Sequence, residues 1–192
     1  MNLPLLQVAL DETSLENAVK SVKQYGHVID IVEVGTILHY AEGAKAVSVL
    51  REMYPNKILL DDIKGADAGK TLAEICFGAG ADTMTAICSA DVNTMIAMKK
   101  VGDSYGSGKD VQVELYGDWT FEHAQSWLDA GLTQVVYHRS RDAELAGKKW
   151  SDEDIEKIAK LCCVFKQSEE LILETHFLNQ TISHEKILFI QW

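Results

Sequence analysis

The sequence predicts an α/β fold, a (β/α)8 barrel of the TIM type that is incomplete or distorted after the sixth strand. Three observations predict it. Six short apolar runs end in polar residues at nearly even spacing, amphipathic stretches with helix punctuation lie between them, and five of the six runs end in an ionisable group. The runs begin at Leu5 (LLQVALD), Asp30 (DIVEVG), Lys57 (KILLDDIK), Asp82 (DTMTAI), Asp110 (DVQVELYG) and Gln134 (QVVYHRS), with offsets of 25, 27, 25, 28 and 24 residues. Strand–helix units joined by short links imply parallel strands with crossover helices. An open doubly wound sheet uses the same units, but this regularity favours a closed ring. Eight such units need roughly 208 residues by the same repeat, and the chain has 192.

Each helix has its own boundary signals. Thr13-Ser14-Leu15-Glu16 reads as a capping box before ENAVKSVKQY, which Gly26 closes. Pro55 stops the helix through AVSVLREMY, because proline lacks the N–H and clashes with the preceding turn. Asp91 caps VNTMIAMKK, FEHAQSWLDA stops at Gly131, and Ser151-Asp152-Glu153-Asp154 opens a helix into IEKIAKL.

Composition narrows the possible partners. Aspartate and glutamate outnumber lysine and arginine 29 to 18, a net charge of −11, with a pI near 4.9 and mean hydropathy of −0.05. Nucleic acids and anionic membrane surfaces both require a basic footprint, so neither is an expected partner. An anionic ligand would need a local positive site, or a metal, against the field of the whole chain. Cys76, Cys88, Cys162 and Cys163 show no CxxC spacing, as expected of free thiols in a reducing cytoplasm. MNLPLLQVALDE turns acidic too early for a signal peptide. No apolar run approaches the ~18 residues of a membrane span.

In a barrel of this kind catalytic groups project from the C-terminal strand ends. Strand parity sorts the candidates. Leu60, Asp62 and Lys64 share one face of KILLDDIK, while Leu59, Asp61 and Ile63 share the other; Ile31, Glu33 and Gly35 share a face of DIVEVG. Asp11 ends the first strand, Glu114 lies near the end of the fifth beside Gln112 and Tyr116 in parity, and His138 ends the sixth. Any one of these could be a solvated strand end or a helix cap. Together, a lysine among several carboxylates is costly unless paired and marks a site. Glu33 and Asp62 are hard oxygen ligands suited to Mg²⁺ with waters retained, which would hold two vicinal sugar oxygens and stabilise an enediolate. Lys64, between Asp62 and Asp67, is an electrostatic stabiliser or proton donor, and His138 with Arg141 positions or delivers a proton. His39, His123, His176 and His184 read as surface or helix histidines.

The stretches LQVALD, DIVEVGT, DDIKGADAGK, ELYGDWT and VVYHRSRDAELAG, between about residues 3 and 161, resemble the 3-keto-L-gulonate 6-phosphate decarboxylases of the orotidine 5′-monophosphate decarboxylase superfamily. The D-x-K-x-x-D element at Asp62, Lys64 and Asp67 is the superfamily's signature, and YHRSRD is narrower. The resemblance implies that Glu33 and Asp62 are magnesium ligands and that Lys64 contacts substrate oxygens. It implies that Asp67 crosses a homodimer interface into the partner's active site, and that Asp11 binds substrate. Glu114, His138 and Arg141 take the places of groups associated with water-mediated protonation of the enediolate. The implied reaction is loss of CO₂ from 3-keto-L-gulonate 6-phosphate through a cis-enediolate to L-xylulose 5-phosphate, in L-ascorbate utilisation. Hexulose-6-phosphate synthase, an aldol enzyme acting through the same enediolate, is the alternative. Glu114 and Arg141 favour the decarboxylase.

Residues 1–161 thus make units one to six, and residues 162–192 form a divergent tail. The family continues with a Thr-Gly-Gly turn and an Ala-Gly-Arg strand end that grip phosphate, whereas this tail contains no glycine and no arginine. A phosphate-binding backbone nest without glycine is hard to form. One back-translation of Ser168–Thr175, read two bases on, gives Gly-Gly-Ile-Asp-Pro-Gly-Asn, so an out-of-frame tail is expected. Otherwise, a seventh strand is expected near Cys163–Phe165 and an eighth near Ile187–Ile190. An inactive barrel of the same family is the reading in a different functional class.

Overall fold

The computed structural model describes residues 5–165 and the backbone of 171–173 and 187–191. Eight parallel strands close a barrel in sequence order: β1 (Leu5–Leu10), β2 (Ile31–Val34), β3 (Ile58–Gly65), β4 (Thr83–Ile87), β5 (Asp110–Leu115), β6 (Gln134–Tyr137), β7 (Leu171–Leu173) and β8 (Ile187–Gln191). The first six begin where the even spacing predicts. The seventh does not: Cys163 and Val164 belong to a helix and Phe165 caps it, whose alternate-turn burial of Ile158, Leu161 and Phe165 against the core suits a helix rather than a strand. Among the described residues, five pairs join β1 to β8, from Leu5↔Ile187 to Ala9↔Gln191, and Leu173 pairs with Leu188 between β7 and β8.

Helices cover the ring from outside: α1 (Leu15–Tyr25), α2 (Thr36–Glu42), α3 (Ala44–Met53), α4 (Gly69–Gly78), α5 (Val92–Tyr105), α6 (Phe121–Asp129), α7 (Arg141–Leu145) and α8 (Asp152–Val164). Ser14 is the N-cap of α1 and accepts from Asn17 N. Glu16 therefore sits one position too early for the expected capping box and pairs instead with Lys20 at 2.6 Å. The boxes that do form are Thr120 with His123 on α6 and Ser151 with Asp154 on α8. The expected caps at Asp91 and Tyr54–Pro55 are in place.

The main core lies between sheet and helices. Outward strand residues such as Val8, Val32, Leu59, Met84, Val113 and Val135 pack on Leu38, Val47, Phe77, Met98 and Trp127. The barrel interior is polar: Gln7, Glu33, Asp62, Thr85, Gln112 and Glu114 are all buried there. Buried polar groups must be paired, so they join across strands, Gln7 Nε2 to Glu33 Oε2 at 2.7 Å and Gln112 Nε2 to Gln134 Oε1 at 2.8 Å. At the N-terminal end of the barrel a hollow of about 700 Å³ is lined by Arg51, Lys57, Asp82 and Lys109. These groups are already engaged with one another or with backbone carbonyls, a stabilising role usual for that end.

Candidate active site

The C-terminal mouth gathers one connected set of charges. Lys64 Nζ donates to Asp62 Oδ2 at 2.6 Å and to Glu114 Oε2 at 2.7 Å. On the far side of Glu114, His138 Nδ1 lies 3.0 Å from Oε1. The His138 ring stacks on Tyr116 with centroids 4.5 Å apart. Asp62 also accepts from Thr36 Oγ1, the first residue of α2, and from Thr85 Oγ1 at 2.7 Å. The same Thr85 oxygen accepts from the Lys64 backbone N–H at 2.8 Å. Residues from β3, β4 and β5 therefore meet at Lys64, while Thr36 of α2 holds Asp62 and His138, just after β6, lies against Glu114.

Burial and charge set the protonation states. Burial works against the Asp62 charge, but Lys64, Thr36 and Thr85 outweigh it and hold the carboxyl below its usual range. Burial likewise opposes the Lys64 charge, but Asp62 and Glu114 hold the ammonium well above its usual value. Burial lifts Glu114 to about 7; the Asp62 charge adds to the rise, while His138 and Lys64 oppose it. Two carboxyls share one lysine, one ionised and one near neutrality. That divergence suits one for holding charge and the other for moving a proton.

Two backbone features bring these groups together. Register shifts between β3 and β4 from Asp61 to Gly65, and Lys64 adopts φ +49°. This left-handed conformation costs about 1–3 kcal/mol for a residue with a Cβ and persists where the surroundings over-determine it. Gly35, at the turn from β2 into α2, leaves room for the Asp11 carboxylate, with which a Cβ would collide.

The sequence candidates fall into three groups. Asp62, Lys64, Glu114 and His138 meet directly. Glu33 is buried in the same interior on the Gln7 side. Arg141, expected beside His138, instead pairs with Asp11, 130 residues away in sequence. Asp67 is exposed, its Oδ1 accepting from Ala68 N at 2.7 Å, outside the Lys64 cluster. Thr36, Thr85 and Gln7 were missed; their signal was strand parity, since Gln7 and Thr85 are polar residues at inward positions. His39, expected as an ordinary helix histidine, has its Nδ1 2.7 Å from Oδ1 of the fully buried Asp61, and this bond, against the effect of burial, raises its pKa. His123 is the third residue of α6, where its ring accepts from the backbone N–H of the N-cap Thr120; His176 and His184 lie outside the described residues.

Glu33 and Asp62 are hard oxygen donors of the chemical type that Mg²⁺ takes. Glu33 and Asp62 line a cavity of about 10 Å³ together with Gln7, Gln112 and Glu114, which is the order of one water-sized site. Mg²⁺ keeps several waters and is satisfied by one or two carboxylates. Among the described residues no group of three or more His, Cys, Asp or Glu side chains is placed so that it could hold a metal ion, so any Mg²⁺ here would rest on two carboxylates and its own waters.

A closed parallel barrel with charged strand ends at its C-terminal mouth defines an enzyme scaffold of the TIM class. The Orotidine 5′-phosphate decarboxylase / HUMPS family matches residues 4–174, and the chain belongs to that family. It is 51% identical over 168 residues to the probable 3-keto-L-gulonate-6-phosphate decarboxylase of Haemophilus influenzae, covering 84% of this chain and 75% of that protein. It is 51% identical over 161 residues to 3-keto-L-gulonate-6-phosphate decarboxylase UlaD of Escherichia coli, covering 84% and 74%. The crystal structure of KGPDC from Streptococcus mutans superposes with a TM-score of 0.87 at 36% identity, covering all of this chain and 88% of that one. No helix among the described residues is long and apolar enough to cross a membrane.

Proposed function

We propose that the protein is a Mg²⁺-dependent carboxy-lyase that converts 3-keto-L-gulonate 6-phosphate to L-xylulose 5-phosphate and CO₂ in L-ascorbate utilisation, as a cytoplasmic homodimer. The observation that carries this reading is Lys64 bridging Asp62 and Glu114 at 2.6 and 2.7 Å, with His138 on the far side of Glu114. In a β-keto acid the bond between the carboxyl carbon and its neighbour breaks, CO₂ leaves, and the electron pair moves through the new C=C bond onto the ketone oxygen. A proton must then reach the carbon that lost CO₂. Mg²⁺ held by Glu33 and Asp62 would supply a Lewis acid for two vicinal substrate oxygens. Lys64 places fixed positive charge where negative charge develops. Glu114, near neutrality, and His138 hold the proton at the mouth. The Asp11–Arg141 pair, from the end of β1 and the start of α7, offers substrate hydroxyls an acceptor and a donor.

Release of CO₂ from the synthetic substrate, with and without a chelator, tests the reading. Mg²⁺-dependent release with L-xylulose 5-phosphate as product is expected. No release under conditions where a family enzyme turns over refutes it. Full release in chelator removes Glu33 and Asp62 from the metal's service.

The tail favours a second reading, because residues 162–192 include no glycine or arginine with which to hold a phosphate. Remote phosphate binding supplies transition-state stabilisation, so a barrel with this tail would keep the charge cluster and lose most of kcat/KM. Grafting a family-type C-terminus should then raise kcat/KM by about 100-fold or more. Resequencing the DNA for residues 160–192 tests whether the tail is an out-of-frame translation.

A further inference from the structure

One helix reaches two adjacent carboxylates that point to opposite sides of β3. Thr36 donates to Asp62 inside the barrel, and His39, one turn further along α2, bonds Asp61 on the outer face at 2.7 Å. Asp61 is fully buried, with Val34 and Met84 as its strand partners, in a layer where the Cys76 thiol also meets its carboxylate and Leu38 and Leu59 are apolar. An apolar side chain there would serve stability as well as the pair does or better. What a hydrogen-bonded pair adds is direction. Immediately after Asp61 the strand departs from its register with β4, and Lys64 takes its left-handed φ. Such a backbone holds only when fixed from several sides. Thr85 holds the Lys64 N–H and Asp62 from β4, and Glu114 holds Nζ from β5.

We infer that the His39–Asp61 pair is a positioning clasp, which fixes the bulged end of β3 from outside so that Asp62 and Lys64 meet Glu114 inside. His39 and Asp61 act through the strand and touch no substrate. The kinetic arm of the test rests on the decarboxylase reading; the structural arm does not.

The double variant His39→Leu, Asp61→Ala removes the pair without stranding a buried charge. Its thermal midpoint should stay within about 4 °C of the parent's. Hydrogen–deuterium exchange in peptides spanning residues 58–68 should accelerate about tenfold while β5 and β6 stay unchanged. The kcat for CO₂ release should fall about tenfold, with KM changed less. His39→Gln, which keeps a donor on Asp61, should restore both. Parent-like exchange across 58–68 in the double variant overturns the clasp, and so does parent-like kcat where exchange has accelerated. If the double variant does not fold, His39→Leu compared with His39→Gln reads the same difference. If the parent releases no CO₂, the decarboxylase reading fails, and the exchange comparison alone decides the clasp.

Discussion

Buried beside Asp62 and Lys64, Glu114 keeps its proton up to about pH 7. Between its ordinary value of 4.5 and about 7, the folded chain binds a proton that the unfolded chain has released. Stability therefore falls as pH rises through that window. Glu114→Gln removes this fall. Urea unfolding should show the variant gaining roughly 2 kcal/mol relative to the parent between about pH 4.5 and 7.5, while kcat drops about 100-fold. Parallel stability curves for the two proteins would mean that Glu114 titrates in its ordinary range. Residues of this kind were legible because alternation along a strand sorts inward from outward positions, and Glu33, Asp62 and Glu114 are all buried in the interior. Their partners were not. The bond from Arg141 to Asp11 spans 130 residues, and that from His39 to Asp61 depends on which helix covers β3, neither of which periodicity encodes.

At the scale of elements, the start of β4 is tied to its neighbours by one side chain. Asp82 accepts from Leu59 N at 2.9 Å, from Lys109 at 3.0 Å and from Arg51. Burial opposes the charge, but these donors outweigh it and hold the carboxyl below its usual range. A depressed carboxyl contributes stability that is present above the unfolded value and lost as pH falls through the folded one. The group is half-buried, so solvent screening reduces the effect. Asp82→Asn should cost about 1 kcal/mol at pH 7, with the deficit closing in acid, below the ordinary carboxylate range. Urea midpoints under the two conditions check this, and a deficit that persists in acid would assign the loss to packing. The strand starts and most caps were readable because each depends on a few neighbouring residues. The bulge in β3 was not, because a register shift is a relation between two strands. The seventh strand was misplaced because LCCVF is apolar enough for either element, and length alone did not decide between them.

At the scale of the whole molecule, one chain brings Asp62, Lys64, Glu114 and His138 together but leaves Asp67 exposed beside the start of α4. In the D-x-K-x-x-D element the three side chains are close in sequence. The bulge after Asp61 and the left-handed residues Lys64 and Ala68 turn Asp67 away from the cluster. In a two-fold dimer, as proposed above, each active site would receive one Asp67 from its partner. Mixed subunits test this. Lys64→Ala and Asp67→Ala homodimers should each be nearly inactive. In a heterodimer of the two, the site that keeps Lys64 receives the intact Asp67 of the other subunit, while the second site lacks both. Random exchange makes half of the dimers hybrid, so activity should recover to about a quarter of the parent's. Recovery scaling with the hybrid fraction, followed by native mass spectrometry, supports the shared site. No recovery with hybrids present would confine Asp67 to its own subunit, where its exposed position beside α4 makes it a loop-capping residue rather than a partner of Lys64.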